Sequence, residues 1–303
     1  MIEFRGVGKT YRAWFGKSVR AVDDVTLDIA PGEVLGIAGP NGAGKSTLIS
    51  LLLGYLTPTD GRVRIFGKAP RAWIERNGIG YLSELIAIPP VWKTREAMVR
   101  YAVLAGVPAS ELAARVDGAM EQLGITEHAG KRVKALSKGN LQRLGLAQSL
   151  LRDEQVLILD EPTHGLDPVW TQRFRDIVVN LRRADRIIII ASHNLDELQR
   201  LADRVAIIDR GKIQRVVTIG AGAASDASVT YRLVVASGAE IVARHFPETR
   251  RVSGNEIDVA AANLATLNRS VAAAIADGAV FASVAPTHSA LEEQFREAVG
   301  AVN

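Results

Sequence analysis

The octapeptide Gly39-Pro-Asn-Gly-Ala-Gly-Lys-Ser46 constrains this chain more than any other stretch. It fits G-x-x-x-x-G-K-S/T and lies between an apolar run, Val34-Leu-Gly-Ile-Ala38, and a helix predicted over residues 47–56. A strand must therefore enter a glycine-rich turn and leave as a helix. Glycines let the backbone wrap closely, so that successive N–H groups converge on one point. The helix adds the positive end of its dipole there. Gly39, Pro40, Asn41, Gly42, Ala43 and Gly44 are read as a cradle for phosphate oxygens. Lys45 is expected to reach the β- and γ-phosphates, Ser46 to hold Mg²⁺, and Thr47 to touch the α-phosphate.

A second strand ends in acid. Val156-Leu-Ile-Leu runs into Asp160-Glu161-Pro162, and the proline stops the strand. Asp160 is expected in the Mg²⁺ shell. Strand periodicity predicts that Glu161 points to the opposite face, where it would polarise an attacking water. Residues 79–82, 187–190 and 205–208 are further short apolar runs. Continuous apolar strands suit a parallel sheet covered on both faces. Helices over residues 95–105 and 110–123 interrupt the series and read as an inserted helical subdomain.

Composition narrows the class. The chain has 303 residues, 48% of them hydrophobic and 23% charged, so it has enough apolar side chains for a packed core. Its length is about twice a typical domain of ~150 residues, which predicts one large or two modest domains. No apolar run reaches the ~18 residues needed to span a bilayer. The first residues lack an apolar signal region. With no cysteine, disulfides, thiolate metal sites and cysteine nucleophiles are excluded. The net charge of +4 divides into +7 (31 basic, 24 acidic) for residues 1–215 and −3 (six Arg, nine acidic) for 216–303. That asymmetry, the alanine-rich composition after Lys212, and the linker-like Gly220-Ala-Gly-Ala-Ala-Ser-Asp226 place a domain boundary near residue 216.

A third motif specifies the kind of nucleotide protein. Leu136-Ser137-Lys138-Gly139-Asn140, followed by Leu141-Gln142-Arg143, resembles the L-S-G-G-Q signature of ABC (ATP-binding cassette) ATPases. The order of phosphate loop, helical insert, signature, acidic strand, Gly165-Leu166-Asp167 and His193 is similar to the whole ABC nucleotide-binding domain over residues 1–215. The resemblance implies an α/β P-loop NTPase of ABC type, with a helical subdomain at about 85–150. It implies ATP and Mg²⁺ as ligands. Tyr11 would stack on adenine. Ser137, Gly139 and Asn140 would contact the γ-phosphate held by a second cassette. Asp167 would lie in the loop coupling the two sites, and His193 would contact the γ-phosphate and support the water that Glu161 orients. Lys45, Glu161 and His193 are thus the catalytic expectation, with Ser46, Glu84 and Asp160 around the metal.

Four positions depart from the family pattern. Lys138 and Asn140 replace the commoner Gly and Gln; the asparagine is one methylene shorter, and the lysine adds a cation that either strengthens or merely decorates phosphate contact. Glu84 stands where many members carry a metal-sensing glutamine. An ionised carboxylate keeps metal coordination but loses donation, and glutamate there resembles a subgroup of exporter cassettes. His164 stands where serine or alanine is common and receives no role; it is read with His128, His245 and His288 as structural or solvated.

Residues 216–303 read as a small α+β accessory domain. Strands are expected at 231–236, 257–260 and 280–284, and helices at 261–277 and from the Ser289–Glu292 capping box to Val299. The ending Ala290-Leu-Glu-Glu-Gln-Phe-Arg-Glu-Ala-Val299 resembles the tails of ABC-2 type exporter cassettes. A regulatory or dimer-supporting role and a purely structural one stand equal for this domain. The resemblance implies the ATP-hydrolysing subunit of an ABC transporter, of exporter kind, at the cytoplasmic face of the membrane. It would pair head to tail with a second cassette, as homodimer or heterodimer, and drive a separate membrane-spanning permease. No nucleic acid partner is expected. The alternative is a soluble ABC ATPase acting on ribosomes or DNA; such relatives usually carry two cassettes, long coiled coils or zinc hooks.

Overall fold

The structure, a computed structural model, describes residues 1–12, 18–219, 229–246, 249–261, 264–287 and 290–300. The chain divides into two compact units, Met1–Ile219 and Gly220–Asn303. The boundary expected at 216 falls inside a strand, Lys212–Thr218, which stays paired to the first unit's sheet.

The first unit has two sheets. The strands β1 (Ile2–Tyr11), β2 (Val19–Ile29) and β4 (Asp60–Ile65) form an antiparallel sheet in the order β2-β1-β4. The second contains β3 (Val34–Ala38), β5 (Gly80–Leu82), β6 (Val156–Asp160), β7 (Ile187–Ser192), β8 (Arg204–Asp209) and β9 (Lys212–Thr218). Its order is β5-β6-β7-β3-β8-β9, parallel except for the hairpin partner β9. Every residue of β3, β6 and β7 is buried, as continuous apolar strands require. Each fully buried isoleucine of β7 contributes ~1.5–3 kcal/mol of burial.

Helices connect these strands. The first, α1 (Lys45–Leu52), follows the phosphate loop and is shorter than the predicted 47–56 because the chain turns at Leu53 and Gly54, where φ is +69°. Next come α2 (Pro70–Asn77), α3 (Thr94–Leu104), α4 (Leu112–Gln122) and α5 (Lys138–Ser149). The last three pack on one another and make the helical insert. Beyond β6 come α6 (Pro168–Leu181) and α7 (Leu195–Leu201). Asp167 caps α6 by accepting from the Trp170 N–H at 2.9 Å, with Pro168 at the first helical position.

The antiparallel sheet escaped the sequence reading. In β2 an acidic pair breaks the alternation, and Asp24 takes a left-handed φ of 52°. The buried face, Val22, Val25, Leu27 and Ile29, is continuous only after that irregularity.

In the second unit, β10 (Val229–Ser237), α8 (Ala239–His245), β11 (Thr249–Ser253), β12 (Glu256–Ala261), α9 (Leu264–Ala276) and β13 (Val280–Pro286) precede α10 (Ala290–Gly300). The sheet order β11-β12-β10-β13, all antiparallel, with this β-α-β-β-α-β succession, is the split-βαβ ferredoxin-like arrangement. Its core gathers Leu233, Val235, Val242, Phe246, Val259, Leu267 and Ala274. The sequence reading assigned β10, β12, α9 and β13 but not α8 or β11. Gly254-Asn255, a two-residue hairpin signal between Ser253 and Glu256, marks the missed turn. Residue 261 ends β12 rather than starting the helix. The linker stretch 220–226, Ser289 and His288 lie outside the described residues.

Leu233 is fully buried in this second core. Leu233→Ala is expected to cost about 2–5 kcal/mol, read as a lower urea midpoint for the unfolding of the second unit. An unchanged midpoint contradicts the packing described.

Candidate nucleotide and metal site

Strand register builds the site. Ala38 of β3 pairs with Ser192 of β7, and Asp160 of β6 pairs with Ala191 of β7, so three carboxyl ends stand level. Open α/β sheets bind ligands outside such ends. A cleft of about 520 Å³ opens there. Its wall carries the loop from Pro40 through Thr47, together with Ala21, Glu84, Asp160, Glu161, His164 and His193.

The loop is shaped by its glycines. A side chain on Gly39 would meet the Ile208 carbonyl oxygen at 2.3 Å. Gly44 has φ +106°, and a Cβ there would meet the Ala21 oxygen at 2.4 Å. Gly39 is therefore buried beneath the cleft, where it lets the loop close against β8. Lys45 Nζ donates to the carbonyls of Gly39 at 2.6 Å and Pro40 at 3.3 Å, folding its ammonium into the loop. Tyr11, at the end of β1, is 42% exposed. Its hydroxyl lies 3.4 Å from Thr47 Oγ1, which sets the ring beside the loop helix, with Lys9 Nζ 5.8 Å from the ring centroid.

The acid pair differs from the expectation. Glu161 has φ +48°, outside strand geometry, so the period-two alternation stops at Asp160. Both carboxylates consequently line the same cleft. Glu161 is held from three directions: its Oε1 accepts from the His193 N–H at 3.0 Å and its Oε2 from Ser192 Oγ at 3.2 Å, while His193 Nδ1 stands 2.9 Å from Oε2. Its own N–H donates to the Ala191 carbonyl at 2.8 Å.

Asp160 is only 4% exposed. Burial first, then the charges of Glu84 and Glu161, push its carboxyl up to about 6, against the pull of Lys45. Three carboxylates and Ser46 thus line one cleft, an acidity that a divalent cation offsets. Oxygen-only donors of this kind suit Mg²⁺, which needs few protein ligands when phosphates complete its shell. Ser46, Glu84 and Asp160 fit such an ion. Among the described residues no cluster of three His, Asp or Glu side chains forms a self-sufficient metal cage.

The signature lies elsewhere. Ser137 caps α5 by accepting from the Asn140 N–H at 3.2 Å. None of Ser137, Gly139, Asn140 and Asp167 lines this chain's cleft. Asn140 is already engaged within the subdomain. Its amide donates to His128 Nε2 at 2.7 Å and accepts from Arg143, which stacks on Trp170 at 4.0 Å. The shorter side chain thus serves its own helix rather than a nucleotide in the same chain. The sequence reading missed two cleft residues, Ala21 and His164. The signal for His164 is its place three residues beyond Glu161, where its N–H donates to the Glu161 carbonyl at 3.1 Å and turns the chain back. Two other histidines have local partners: His128 is buried on Asn140, and His245 Nε2 meets Asp277 at 2.7 Å.

A glycine loop at the carboxyl edge of a parallel sheet, with a lysine, a hydroxyl and a buried acid around it, defines a P-loop nucleotide-binding protein. A family model described as ABC transporter matches residues 22–164, and an AAA-domain model (putative AbiEii toxin, Type IV TA system) matches residues 132–198. An uncharacterized ABC transporter ATP-binding protein of Bacillus subtilis, YdbJ, is 31% identical over 292 residues, covering 94% of this chain and 92% of its own length. The chain belongs to the family of ABC transporter ATP-binding proteins.

Other relatives match a smaller share of the chain. The methionine import protein MetN of Caulobacter vibrioides is 36% identical over 220 residues, 70% of this chain and 65% of its own. An uncharacterized ABC transporter ATP-binding protein of Nostoc, all4389, is 35% identical over 209 residues, 68% of this chain. The chain spans 62% of that relative's length. Among solved structures, the dimeric post-hydrolysis state of the cassette MJ0796 with ADP and Pi superposes with a TM-score of 0.67 at 21% identity. The match covers 72% of this chain and 99% of MJ0796 and places the first unit in the ABC cassette fold. ABC cassettes are ATPases.

The raised Asp160 pKa sets a pH dependence. A carboxyl whose pKa is higher folded than unfolded contributes stability that is fully present below the unfolded value of 3.8 and is lost as pH rises through about 6. Without metal, unfolding free energy should fall between pH 4 and 6 by on the order of 2–4 kcal/mol, and Asp160→Asn should remove most of that fall. Chemical denaturation across this range checks it; equal pH profiles for both chains contradict it.

Proposed function

We propose that this chain binds and hydrolyses ATP as one of two cassettes driving a separate membrane-spanning permease. The observation that carries the reading is the division of the site. The cleft collects the phosphate loop, Glu84, Asp160, Glu161 and His193, while Ser137 and Gly139 lie outside it. The start of α5 favours an anion, and lying outside this chain's cleft it would offer that capacity to a second nucleotide site. Two copies placed head to tail, or one copy with a different cassette, would each complete the other's cleft. Membrane attachment would come through the permease, because no described helix is long and apolar enough to span a bilayer.

Each residue then has a task. The loop N–H groups and Lys45 would hold the triphosphate, the lysine exchanging the Gly39 and Pro40 carbonyls for phosphate oxygens. Tyr11 would cover the adenine. A Mg²⁺ at Ser46, Asp160 and Glu84 would supply charge neutralisation at the β- and γ-oxygens. Glu161, pinned by Ser192 and His193, would orient water for in-line attack. If His193 Nδ1–H donates to Glu161, a contact from Nε2 to the γ-phosphate requires the doubly protonated ring. Export is the reading favoured by Glu84 and by the 290–299 tail, both of which resemble exporter cassettes. The cytoplasmic face is where ATP and the permease would both be reached.

Glu161→Gln tests this directly. Nucleotide binding is expected to persist, turnover to fall by about 10²–10⁴-fold, and ATP to hold the variant as a dimer in light scattering. Wild-type turnover in this variant contradicts the assignment of the base.

A further inference from the structure

His164 lines the cleft, yet the reaction above gives it no task. Its Nε2 lies 2.8 Å from Lys138 Nζ, the cation that interrupts the signature. An ammonium only donates, so Nε2 accepts and the ring proton sits on Nδ1. The lysine stem lies across Gly165: a Cβ there, at φ +81°, would meet Lys138 Cγ, Cδ and Cε within 3.1 Å. One residue on, a Cβ on Gly139 would stand 3.0 Å from the Gly165 oxygen. The first turn of α5 is therefore laid directly on the loop that follows Glu161.

Two links join these segments, and they differ in kind. Gln142, 5% exposed, donates from Nε2 to the Glu161 carbonyl at 3.1 Å and the Pro162 carbonyl at 2.9 Å. That clamp is buried, and breaking it strands the Gln142 amide and the Pro162 carbonyl, the Glu161 carbonyl keeping the His164 N–H. The Lys138–His164 bond is exposed at the rim of the cleft. A polyanion entering the cleft meets His164, which lines it, and through His164 bears on Lys138, which does not. The same lysine sits between Ser137 and Gly139, the residues available to a second cassette.

We propose that the Lys138–His164 hydrogen bond is the link by which one chain's nucleotide cleft sets the placement of the signature turn that the same chain presents to its partner. It rests on the paired-cassette reading. His164 responds to the anion, Lys138 is a positioning residue, and the bond between them carries the dependence.

A double-mutant cycle tests it in the full-length Glu161→Gln chain with Mg²⁺ and ATP. Dimer dissociation constants are measured by sedimentation for this background and after Lys138→Ala, His164→Ala and both. Each single change is expected to weaken the dimer about tenfold, and the double change no more than about twofold beyond the larger single effect. Lys138→Arg should restore most of the dimer. Fluorescent ATP-analogue binding to dilute monomer should shift less than about twofold for Lys138→Ala, a split that general loss of structure would not give. Additive effects overturn the link, showing that the lysine acts on the partner's nucleotide independently of His164. An unaltered dimer in Lys138→Ala overturns it too. A background chain that never dimerises contradicts the paired-cassette reading itself, and the link falls with it.

Discussion

The parallel ladder of β3, β7 and β6 is the constraint on which the site depends. It fixes three strand ends at one level, and each end carries one part of the chemistry: the glycine loop after Ala38, the acid pair at Asp160 and Glu161, and His193 after Ser192. Burial on both faces leaves these strands no freedom to slide, because a one-residue slip would turn every side chain over. The left-handed turn at Glu161 then adds what the ladder cannot, a second carboxylate on the same side as the first.

That arrangement has an electrostatic cost. Asp160 is buried beside two other carboxylates, and its raised pKa expresses the repulsion. Lys45 counters it only in part, with its ammonium folded onto its own loop. The site is thus organised for cationic and phosphate ligands rather than for its own stability, as expected where binding and not folding sets the residue choice. The segment that follows Asp160 and the first turns of α5 are meanwhile joined by Gln142 and Lys138.

Much of this was legible in the sequence because local patterns were unambiguous. Gly39 to Ser46 predicted a strand, turn and helix; the apolar runs at β3, β6 and β7 predicted buried parallel strands. What stayed hidden depends on backbone departures and distant partners. Periodicity put Glu161 on the wrong face because nothing in Asp-Glu-Pro announces a positive φ. His164 looked incidental because its partner, Lys138, is 26 residues earlier. The hydrogen bonds of Asn140 to His128 and Arg143 were likewise hidden, because they depend on how the insert packs. In the second unit, β11 was missed although Gly254-Asn255 marks its hairpin.

Loop, lysine and acid cluster would together hold ATP with a divalent cation. Calorimetric titration of the full chain with ATP, with and without Mg²⁺, addresses it most directly, alongside Lys45→Ala. The account predicts tight binding for the wild-type chain with Mg²⁺, weakened at least about tenfold when the metal is withheld or Lys45 is removed. Equal affinity with and without Mg²⁺, or in Lys45→Ala, would contradict it.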